Sequence, residues 1–571
     1  MSKNHLKLFI WLILVGIMGL MAYLTLTGLA ELVTYFNTGA DPRSALNLIP
    51  AVPPDIDQRL EWLPDQYHGH ELEPFERDKI SGAYLHAWGQ WAISYEVGKP
   101  YGLSTYFAGA TLETMSHNIE QAKEADWQIQ QSDLYHQLEL TFYADDGNTV
   151  AFTDRAVDLV QQIQHGDEES AQIINSVADY EVVMMLEQGR WRVRRWIRQP
   201  ATPPQKESSP LSDMAARQLV TQQGVELRLD GQPYQIVGAN YYPSQMPWLL
   251  FWEHYRTEQI LFDLRLMRGL GLNTVRIFVP FEQFGGAELV SLHVAHLRDF
   301  LQKADELDIK VIVTLFDLYT DYQIASWATN RRHVVDLVSA LADEPAILAW
   351  DIKNEPDRDY ASNSPELVQA WLRYISQQIR THDPYHLITI GWSTPQAASA
   401  LVETVDFVSY HYYDRAEDYS AVLSELQRAA SDKPLLLQEF GLPTWNSIWP
   451  NGHTEAEQAA YYADLLTTHA EFETAGYMVW TLYDFETVPW SLFKLPWERG
   501  PQTFMGVIRT DGKFKPAAYL LSPHANLSVV PPLAWGHRFT KLFWLNLGFW
   551  IAIMLVGLLW RGGRWLVRNN V

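Results

Sequence analysis

Residues 350–356 read WDIKNEP and residues 435–441 read LLLQEFG, and each stretch ends an apolar run of strand length that reaches a glutamate. A proline or a glycine follows each glutamate within two positions. A continuous apolar run bounded by turn residues predicts a strand buried on both faces, as in parallel sheets. Barrel enzymes built from such strands carry their active sites at the carboxyl ends of the strands. Two glutamates placed there, Glu355 and Glu439, can supply the acid and the nucleophile of glycoside hydrolysis.

The sequence around these stretches alternates apolar strands with amphipathic helices. Strict alternation argues for a parallel sheet, and eight such units predict a closed (β/α)8 TIM barrel of the α/β class over residues 217–525. The predicted strands are residues 235–240, 274–278, 310–316, 346–352, 387–390, 406–410, 435–438 and 477–481. The predicted helices are residues 257–268, 293–307, 331–342, 365–381, 418–430 and 455–474.

A small α+β domain is predicted at residues 77–200, followed by a linker of Pro, Gln, Lys and Ser at residues 201–216. Its clearest element is a hairpin at residues 180–197 that turns at Gln188 and Gly189. Helices are expected at 83–93 and 112–126, and further strands at 138–143 and 150–154. Helices followed by a long hairpin with a Glu-x-Gly-x-Trp-x-Val return strand resemble the cone-like nuclear-transport-factor-2-like (NTF2-like) fold. The resemblance implies binding, self-association or support of a neighbouring domain.

Apolar segments of membrane-spanning length are predicted near both ends of the chain, at residues 8–29 and 541–560. Two lysines precede the first segment and three arginines follow the second. Because positive residues favour the cytoplasmic side, we expect both termini in the cytoplasm and the residues between the segments outside it. Residues 30–76, rich in proline and charge, are predicted to be a stalk. The sequence therefore predicts two transmembrane helices, with the lipid bilayer as a partner.

Composition excludes several functional classes. The formal net charge of -25 argues against a nucleic acid partner, which needs a basic surface. The absence of cysteine rules out disulfides and thiolate metal sites. Neither a phosphate-binding loop, nor a dinucleotide fingerprint, nor a metal-ligand cluster is present in the sequence. We therefore expect no cofactor and no metal.

The ends of the predicted strands carry a set of polar and aromatic residues. From about residue 225 to residue 520 the chain closely resembles the clan A glycoside hydrolases, and glycoside hydrolase family 5 of the cellulase and mannanase type in particular. Asn-Glu-Pro, a later Glu-Phe-Gly, His-x-Tyr between them and Trp after them, each on the expected strand, carry the resemblance. Beyond the two glutamates, the matching residues are Arg276, Asn354, His411, Tyr413 and Trp480.

The resemblance implies a role for each matching residue. Glu355 becomes the acid/base and Glu439 the nucleophile of a retaining reaction, so Glu439 is expected to be ionised and Glu355 to hold its proton near neutral pH. In the same way Arg276 and Tyr413 are implied to serve the nucleophile, and Asn354 to bind the sugar 2-hydroxyl. His411 is implied to bind substrate or the hydrogen-bond network, and Trp480 to form the sugar platform at subsite -1.

The loops and one strand end depart from the family pattern. The third predicted strand ends in Asp317, where many family members carry a histidine, and the loops with Trp248, Trp252, Trp490 and Trp497 are particular to this chain. These loops shape the cleft, so the sugar specificity does not follow from the resemblance. We expect a membrane-anchored, extracytoplasmic retaining glycosidase that acts on a β-linked polysaccharide or oligosaccharide. A transglycosylase using the same residues, a non-catalytic glycan-binding scaffold, and self-association through the small domain stay open as alternatives.

Overall fold

The computed structural model describes residues 59–67, 69–166, 168, 170–202, 219–445, 452–521, 550, 551, 553 and 554. The chain divides into two compact units. Among the described residues, one unit contains those up to Glu124, together with His136–Arg155 and Asp179–Gln199. The other contains the described residues of Ala125–Tyr135 and Ala156–Ala178 and those from Pro200 onward.

Two helices and a five-stranded sheet precede the barrel in sequence. The helices are α1 (Pro74–Val97) and α2 (Gly109–Glu124). The strands are β1 (Leu60–Trp62), β2 (Trp127–Tyr143), β3 (Thr149–His165), β4 (Gln172–Glu187) and β5 (Arg190–Pro200), and they are arranged in the order β1-β2-β3-β4-β5. Gln188 and Gly189 join β4 to β5 with φ of 52° and 78°. Two positive φ angles are what a two-residue hairpin turn requires.

This region differs from its sequence-based description in extent. The strands β2, β3 and β4 are longer than predicted, with 17, 17 and 16 residues. Strand β1 lies within the predicted stalk, and its Leu60 pairs in parallel with His136 of β2. The hydrogen bonds that stabilise β1 come from β2, which is distant in sequence, so the local residue pattern of β1 does not reveal them. The likeness to the NTF2-like fold and the predicted boundaries stay predictions, and most of the predicted linker falls outside the described residues.

Eight parallel strands form a closed barrel, which confirms the predicted architecture. They are β9 (Ile236–Asn240), β10 (Thr274–Pro280), β11 (Lys310–Asp317), β12 (Ile347–Asn354), β13 (Leu387–Trp392), β14 (Val408–Tyr412), β15 (Leu435–Phe440) and β16 (Gly476–Val479), and β16 pairs with β9 to close the ring. All residues of β10 and β11 are buried, as expected of strands covered on both faces. The helices are α3 (Leu250–Glu253), α4 (Thr257–Gly269), α5 (Ser291–Asp305), α6 (Trp327–Leu341), α7 (Pro365–His382), α8 (Pro395–Ala398), α9 (Tyr419–Ala429), α10 (Glu455–His469) and α11 (Pro496–Thr503).

Side-chain caps fix where two of the barrel helices begin. The Ser364 hydroxyl accepts a hydrogen bond from the backbone N–H of Leu367 at 3.2 Å, and Pro365 occupies the first position of α7. Thr454 and Glu457 form a reciprocal capping box at the start of α10. Each arrangement satisfies backbone N–H groups that a helix leaves without intrahelical partners. These local signals position the helices that cover the barrel.

A small antiparallel sheet, which the sequence analysis missed, packs against the amino ends of the barrel strands. Its strands are β6 (Val220–Gln223), β7 (Glu226–Leu229) and β8 (Gln232–Pro233). Val220 and Leu227 join Ile312, Leu348 and Leu436 in one buried apolar cluster. Each strand has at most four residues, several of them polar, so a period-two pattern has no room to develop.

The predicted transmembrane segments lie outside the described residues, apart from four positions in 541–560. Within the part of the chain that the structure describes, no helix combines the length and the apolar composition needed to cross a bilayer.

Candidate active site

Two glutamates face each other at the carboxyl ends of the barrel strands. Glu355 directly follows β12, and Glu439 lies near the end of β15. One oxygen of each carboxylate and one ring nitrogen of His411 all lie within 4.8 Å of one another. Carboxyl groups about 5–5.5 Å apart are typical of retaining glycosidases, whereas inverting enzymes separate them by roughly 6.5–9.5 Å. The spacing suits direct attack by one carboxylate on the sugar.

Hydrogen-bond donors surround both oxygens of Glu439. Arg276 Nη1 donates to Oε1 at 2.5 Å, and the Tyr413 hydroxyl donates to Oε2 at 2.7 Å. His411 Nδ1 lies 3.4 Å from Oε2. Burial, followed by the negative charge of Glu439, raises the pKa of Tyr413 well above its usual range, so the phenol keeps its proton and acts as a donor. The arrangement holds Glu439 as an oriented carboxylate.

Arg276, on β10, is fully buried and bonds to side chains from four other barrel strands. Its guanidinium contacts Glu439 and also donates to Asp351 Oδ2 at 2.6 Å and to Asn354 Oδ1 at 2.9 Å. Further bonds reach Asn240 and Thr314, at 3.1 and 3.0 Å. Burial alone would lower the pKa of Arg276, but the charges of Asp351 and Glu439 outweigh it and raise the pKa. The buried cation is thus compensated by two carboxylates, as a stable buried charge requires.

Asn354 is oriented by the same guanidinium. Because its Oδ1 accepts from Arg276, its amide Nδ2 is the part of the side chain that can donate to a sugar hydroxyl. This orientation matches the role that the family resemblance implies for Asn354 at the 2-hydroxyl, a contact that strengthens in the transition state.

His411 connects the two halves of the site and carries a proton. Its Nδ1 lies 3.0 Å from Glu355 Oε1, and its Nε2 lies 3.2 Å from Gln438 Oε1. The Gln438 amide is oriented by its own donation to Asp351 Oδ2 at 3.3 Å. A carboxylate and an amide oxygen both only accept, so both ring nitrogens of His411 donate. Burial would lower the pKa of His411, but the charges of Glu439 and Glu355 raise it.

Glu355 is ionised in this state, contrary to the expectation that it holds its proton. Burial favours the neutral form, but the hydrogen bond and charge of His411, and then those of Arg358, lower its pKa. Arg358 Nη1 donates to Oε2 of Glu355 at 2.8 Å. Glu355 also has a φ of 50°, in the left-handed region that costs a non-glycine residue free energy. The one proton of the Glu355–His411 pair therefore resides on the imidazole until the surroundings of the carboxylate change.

Trp480 follows β16, which pairs with β15, the strand of Glu439. Its ring lies 5.9 Å from Phe278 and 6.4 Å from Trp248, measured between centroids. The indole Nε1 donates to Gln502 Oε1 of α11 at 3.2 Å. The Trp480–Thr481 peptide bond is cis. The ring is 8% exposed, so only a limited part of it can meet a ligand.

Several residues of the site were not singled out from the sequence. Asp351 and Gln438 stand inside the two stretches that decide the fold, and each is fully buried. A carboxylate within a buried strand needs a cationic partner, so Asp351 could have been matched to Arg276 on a neighbouring part of the predicted barrel. Arg358 gave no such signal, because its contact with Glu355 depends on the 3-10 turn Pro356–Ala361.

Asp317 is buried at the end of β11, next to the site. Burial raises its pKa to about 6, although the charges of Lys353 and Arg276 oppose the rise. The Tyr242 hydroxyl donates to its Oδ2 at 3.3 Å. Asp317 thus places a carboxyl group beside the site at the position where, by the family resemblance, many members carry a histidine.

Glu355, His411 and Glu439 also form a group of side chains that could in principle hold a metal ion. Two guanidinium groups, from Arg276 and Arg358, already bind these carboxylates. A cation placed there would meet two fixed positive charges, so the set fits proton transfer and nucleophilic attack better than metal binding. The expectation of no metal stays a prediction.

Comparison with known proteins gives a matching picture. Residues 229–486 match the family model described as cellulase, glycosyl hydrolase family 5. The chain is 25% identical over 343 residues to mannan endo-1,4-beta-mannosidase 1 of Oryza sativa subsp. japonica, an alignment that covers 46% of this chain and 78% of the relative. It is 22% identical over 320 residues to mannan endo-1,4-beta-mannosidase A of Emericella nidulans, which covers 46% and 81%.

Solved structures are similar over about half of this chain. The exo-beta-1,4-mannosidase Op5Man5 from Opitutaceae bacterium strain TAV5 has a TM-score of 0.43 and 22% identity, covering 51% of this chain and 59% of its own. GH5_18 from Streptomyces cattleya in complex with GlcNAc has a TM-score of 0.43 and 19% identity, covering 50% and 79%.

The family match thus covers the barrel strands that carry both glutamates, and the residues around them have the geometry of a two-carboxylate site. The barrel is a clan A, glycoside hydrolase family 5 barrel of the cellulase and mannanase type, and the protein is a glycosidase that hydrolyses O-glycosyl compounds.

Proposed function

We propose that this protein is a membrane-anchored, extracytoplasmic retaining β-glycosidase that cleaves a β-linked glycan of the mannan type by double displacement. The observation that supports retention most strongly is the approach of Glu355, Glu439 and His411 within 4.8 Å. The mannan assignment is supported by the two curated relatives described above, both named as mannan endo-1,4-beta-mannosidases.

The reaction runs in two balanced steps. In the first, a Glu439 oxygen forms a bond to the anomeric carbon while the bond to the leaving oxygen breaks, and that oxygen takes a proton from Glu355. In the second, Glu355 removes a proton from water, the water oxygen bonds to the anomeric carbon, and the bond to Glu439 breaks. Arg276 and Tyr413 hold Glu439 in line for both steps.

The acid step needs the proton of the Glu355–His411 pair on the glutamate. In the present state Arg358 occupies Glu355 Oε2 and favours the carboxylate. We infer that a glycan entering the leaving-group side displaces the Arg358 side chain, which is 70% exposed and free to move toward solvent. Removal of that positive charge raises the proton affinity of Glu355.

Three measurements on the purified full chain test the hydrolase proposal. First, activity is assayed on β-1,4-mannan, β-glucan and aryl β-glycosides. Second, Glu439→Gln is expected to abolish turnover, while Glu355→Gln is expected to lose about 10²–10⁴-fold on glycans and much less on an aryl glycoside whose leaving group needs no proton. Third, NMR of the first-formed product is expected to show the β anomer. An α product would overturn the retaining mechanism.

Two controls separate the alternatives. Products longer than the substrate would show transglycosylation by the same residues. A folded wild-type protein that binds glycans but turns over none of them would favour the binding scaffold.

The proposed location depends on residues 8–29 and 541–560, whose apolar character and flanking positive charges support two transmembrane helices with cytoplasmic ends. Membrane fractionation, with protease added to intact and to opened cells, tests it. We expect the barrel in the membrane fraction and protease access from outside the cytoplasm. Barrel recovered in the soluble fraction would contradict anchoring. Chemical cross-linking with and without residues 77–200 tests self-association through that segment.

A further inference from the structure

An exposed tryptophan stands in the loop between β16 and α11. Trp490 is 65% exposed, the largest fraction among the tryptophans whose side chains the structure describes. The guanidinium carbon of Arg499 lies 3.4 Å from the centroid of its ring. Arg499 is itself held, since its Nη2 donates to the backbone oxygen of Val488 at 2.8 Å. One face of the indole is thus covered by a fixed cation, and its remaining surface is open.

Residues of helix α11 contact both Trp490 and Trp480, the tryptophan expected at subsite -1. Arg499 stacks on Trp490, and Gln502 accepts a hydrogen bond from Trp480 Nε1 at 3.2 Å. Residues three apart lie on the same face of a helix. The helix is tied to the barrel loop by the hydrogen bond from Phe485 N–H to the Thr503 oxygen, at 3.0 Å. A single short element therefore sets the relative position of the two indoles.

Aromatic contacts run from Trp480 toward the loop of Trp490. The centroids of Trp480 and Trp248 lie 6.4 Å apart, and those of Trp248 and Phe493 lie 5.2 Å apart. The N–H of Phe493 donates to the oxygen of Pro489 at 3.1 Å, which closes a turn around Trp490. The packed rings thus extend from Trp480 to Phe493, which lies in the turn that carries Trp490.

We propose that Trp490 is a second sugar-stacking platform, which binds one pyranose ring of the same β-linked glycan beyond the ring held at Trp480. The proposal deepens the proposed function and rests on it. The apolar face of a pyranose matches a flat indole, and a ring already immobilised by Arg499 loses little conformational freedom on binding. Stacking by Trp490 favours glycans long enough to reach both rings.

The experiment compares a long and a short substrate on the full chain. We expect Trp490→Ala to lower the ratio of kcat/KM for β-1,4-mannohexaose over that for an aryl β-mannoside by on the order of tenfold. Trp490→Phe keeps a flat ring and is expected to restore most of the ratio, while Arg499→Ala is expected to lower it partly. Trp127→Ala, which removes another exposed tryptophan (43% exposed), is the matched control and is expected to leave the ratio unchanged.

Binding of mannohexaose to the Glu439→Gln form, measured by calorimetry, separates the platform from the hydrolase. Weaker binding after Trp490→Ala, combined with a wild-type protein that turns over none of the substrates, would keep the platform and overturn hydrolysis. An unchanged ratio and unchanged binding would overturn the platform while hydrolysis stands. Equal losses on both substrates would assign Trp490 a structural role and also overturn it.

Discussion

Arg358 donates from Nη1 to Oε2 of Glu355 at 2.8 Å, so a residue three positions further along the chain favours, together with His411, the ionised form of this carboxylate. The donor, Arg358, has an exposed side chain, whereas the acceptor, Glu355, is largely buried. The strength of this hydrogen bond therefore depends on what else occupies the mouth of the barrel.

Removal of this cation is expected to shift the pH profile. Burial of Glu355 is outweighed by His411 and then by Arg358, which lower its pKa, so Arg358→Ala raises that pKa toward its ordinary value. The alkaline limb of kcat/KM, which follows loss of the acid proton, should move to higher pH. Arg373→Ala, which removes a surface arginine paired with Glu403, is the control. An alkaline limb that stays in place, or that moves equally in the control, would contradict the assignment.

The hydroxyl of Tyr413 is expected to contribute through Glu439 alone. Tyr413→Phe deletes one hydrogen bond to a charged group, worth about 1.5–3 kcal/mol, so kcat/KM should fall by about 10- to 100-fold. Tyr410→Phe, on β14 three residues before Tyr413, deletes a buried hydroxyl that bonds to Tyr419 instead, and it should leave kcat/KM nearly unchanged. Equal losses in the two variants would point to a general loss of structure in β14.

Removal of Asp351, one of the two carboxylates that pair with Arg276, should destabilise the barrel. Asp351→Ala leaves a buried guanidinium with one fewer carboxylate, and breaking a buried pair costs about 3–5 kcal/mol of unfolding free energy. Glu403→Ala, which breaks the exposed pair with Arg373, should cost less than about 1 kcal/mol. Urea unfolding of both variants makes the comparison. Similar midpoints for the two would show that the buried network contributes no more than a surface pair.

Asp317 should destabilise the folded barrel as it ionises. Its pKa is about 6 in the folded protein, above the ordinary 3.8, so the folded state binds the proton more tightly. The associated stability is present below the unfolded pKa and is lost as pH rises through about 6. Asp317→Asn is then expected to stabilise the protein more at pH 8 than at pH 4. The gain in unfolding free energy over the wild type should differ between the two pH values by on the order of 1–3 kcal/mol. A gain equal at both pH values would indicate that ionisation is not the cause.

The barrel, and the placement of Glu355 and Glu439 at the ends of two of its strands, were predictable because both depend on strong local signals. Strands buried on both faces read as continuous apolar runs, and Glu355 and Glu439 stand at the ends of two of them. The protonation of Glu355 was not predictable in the same way. It is set by Arg358 and His411, and the contact with His411 joins residues 56 positions apart.

Other differences arise from pairing between distant segments. Strand β1 and the small sheet β6–β8 have few residues each, and they form because β2 and the amino ends of the barrel offer them partners. The short helix α8 stands where a full helix would complete the regular alternation, and the residues beside it form 3-10 turns instead. The residue pattern within one segment does not reveal which distant segment it will pair with.

The guanidinium of Arg276 draws its ligands from β9, β11, β12 and β15 while it sits on β10. We therefore expect catalytic activity to depend closely on barrel closure, because a small displacement of any of these strands moves the guanidinium that binds Glu439. On gradual heating, enzyme turnover should disappear at a lower temperature than helical circular dichroism. A protein recovered from stress with its helices intact could thus be a poor catalyst until the ring has closed again.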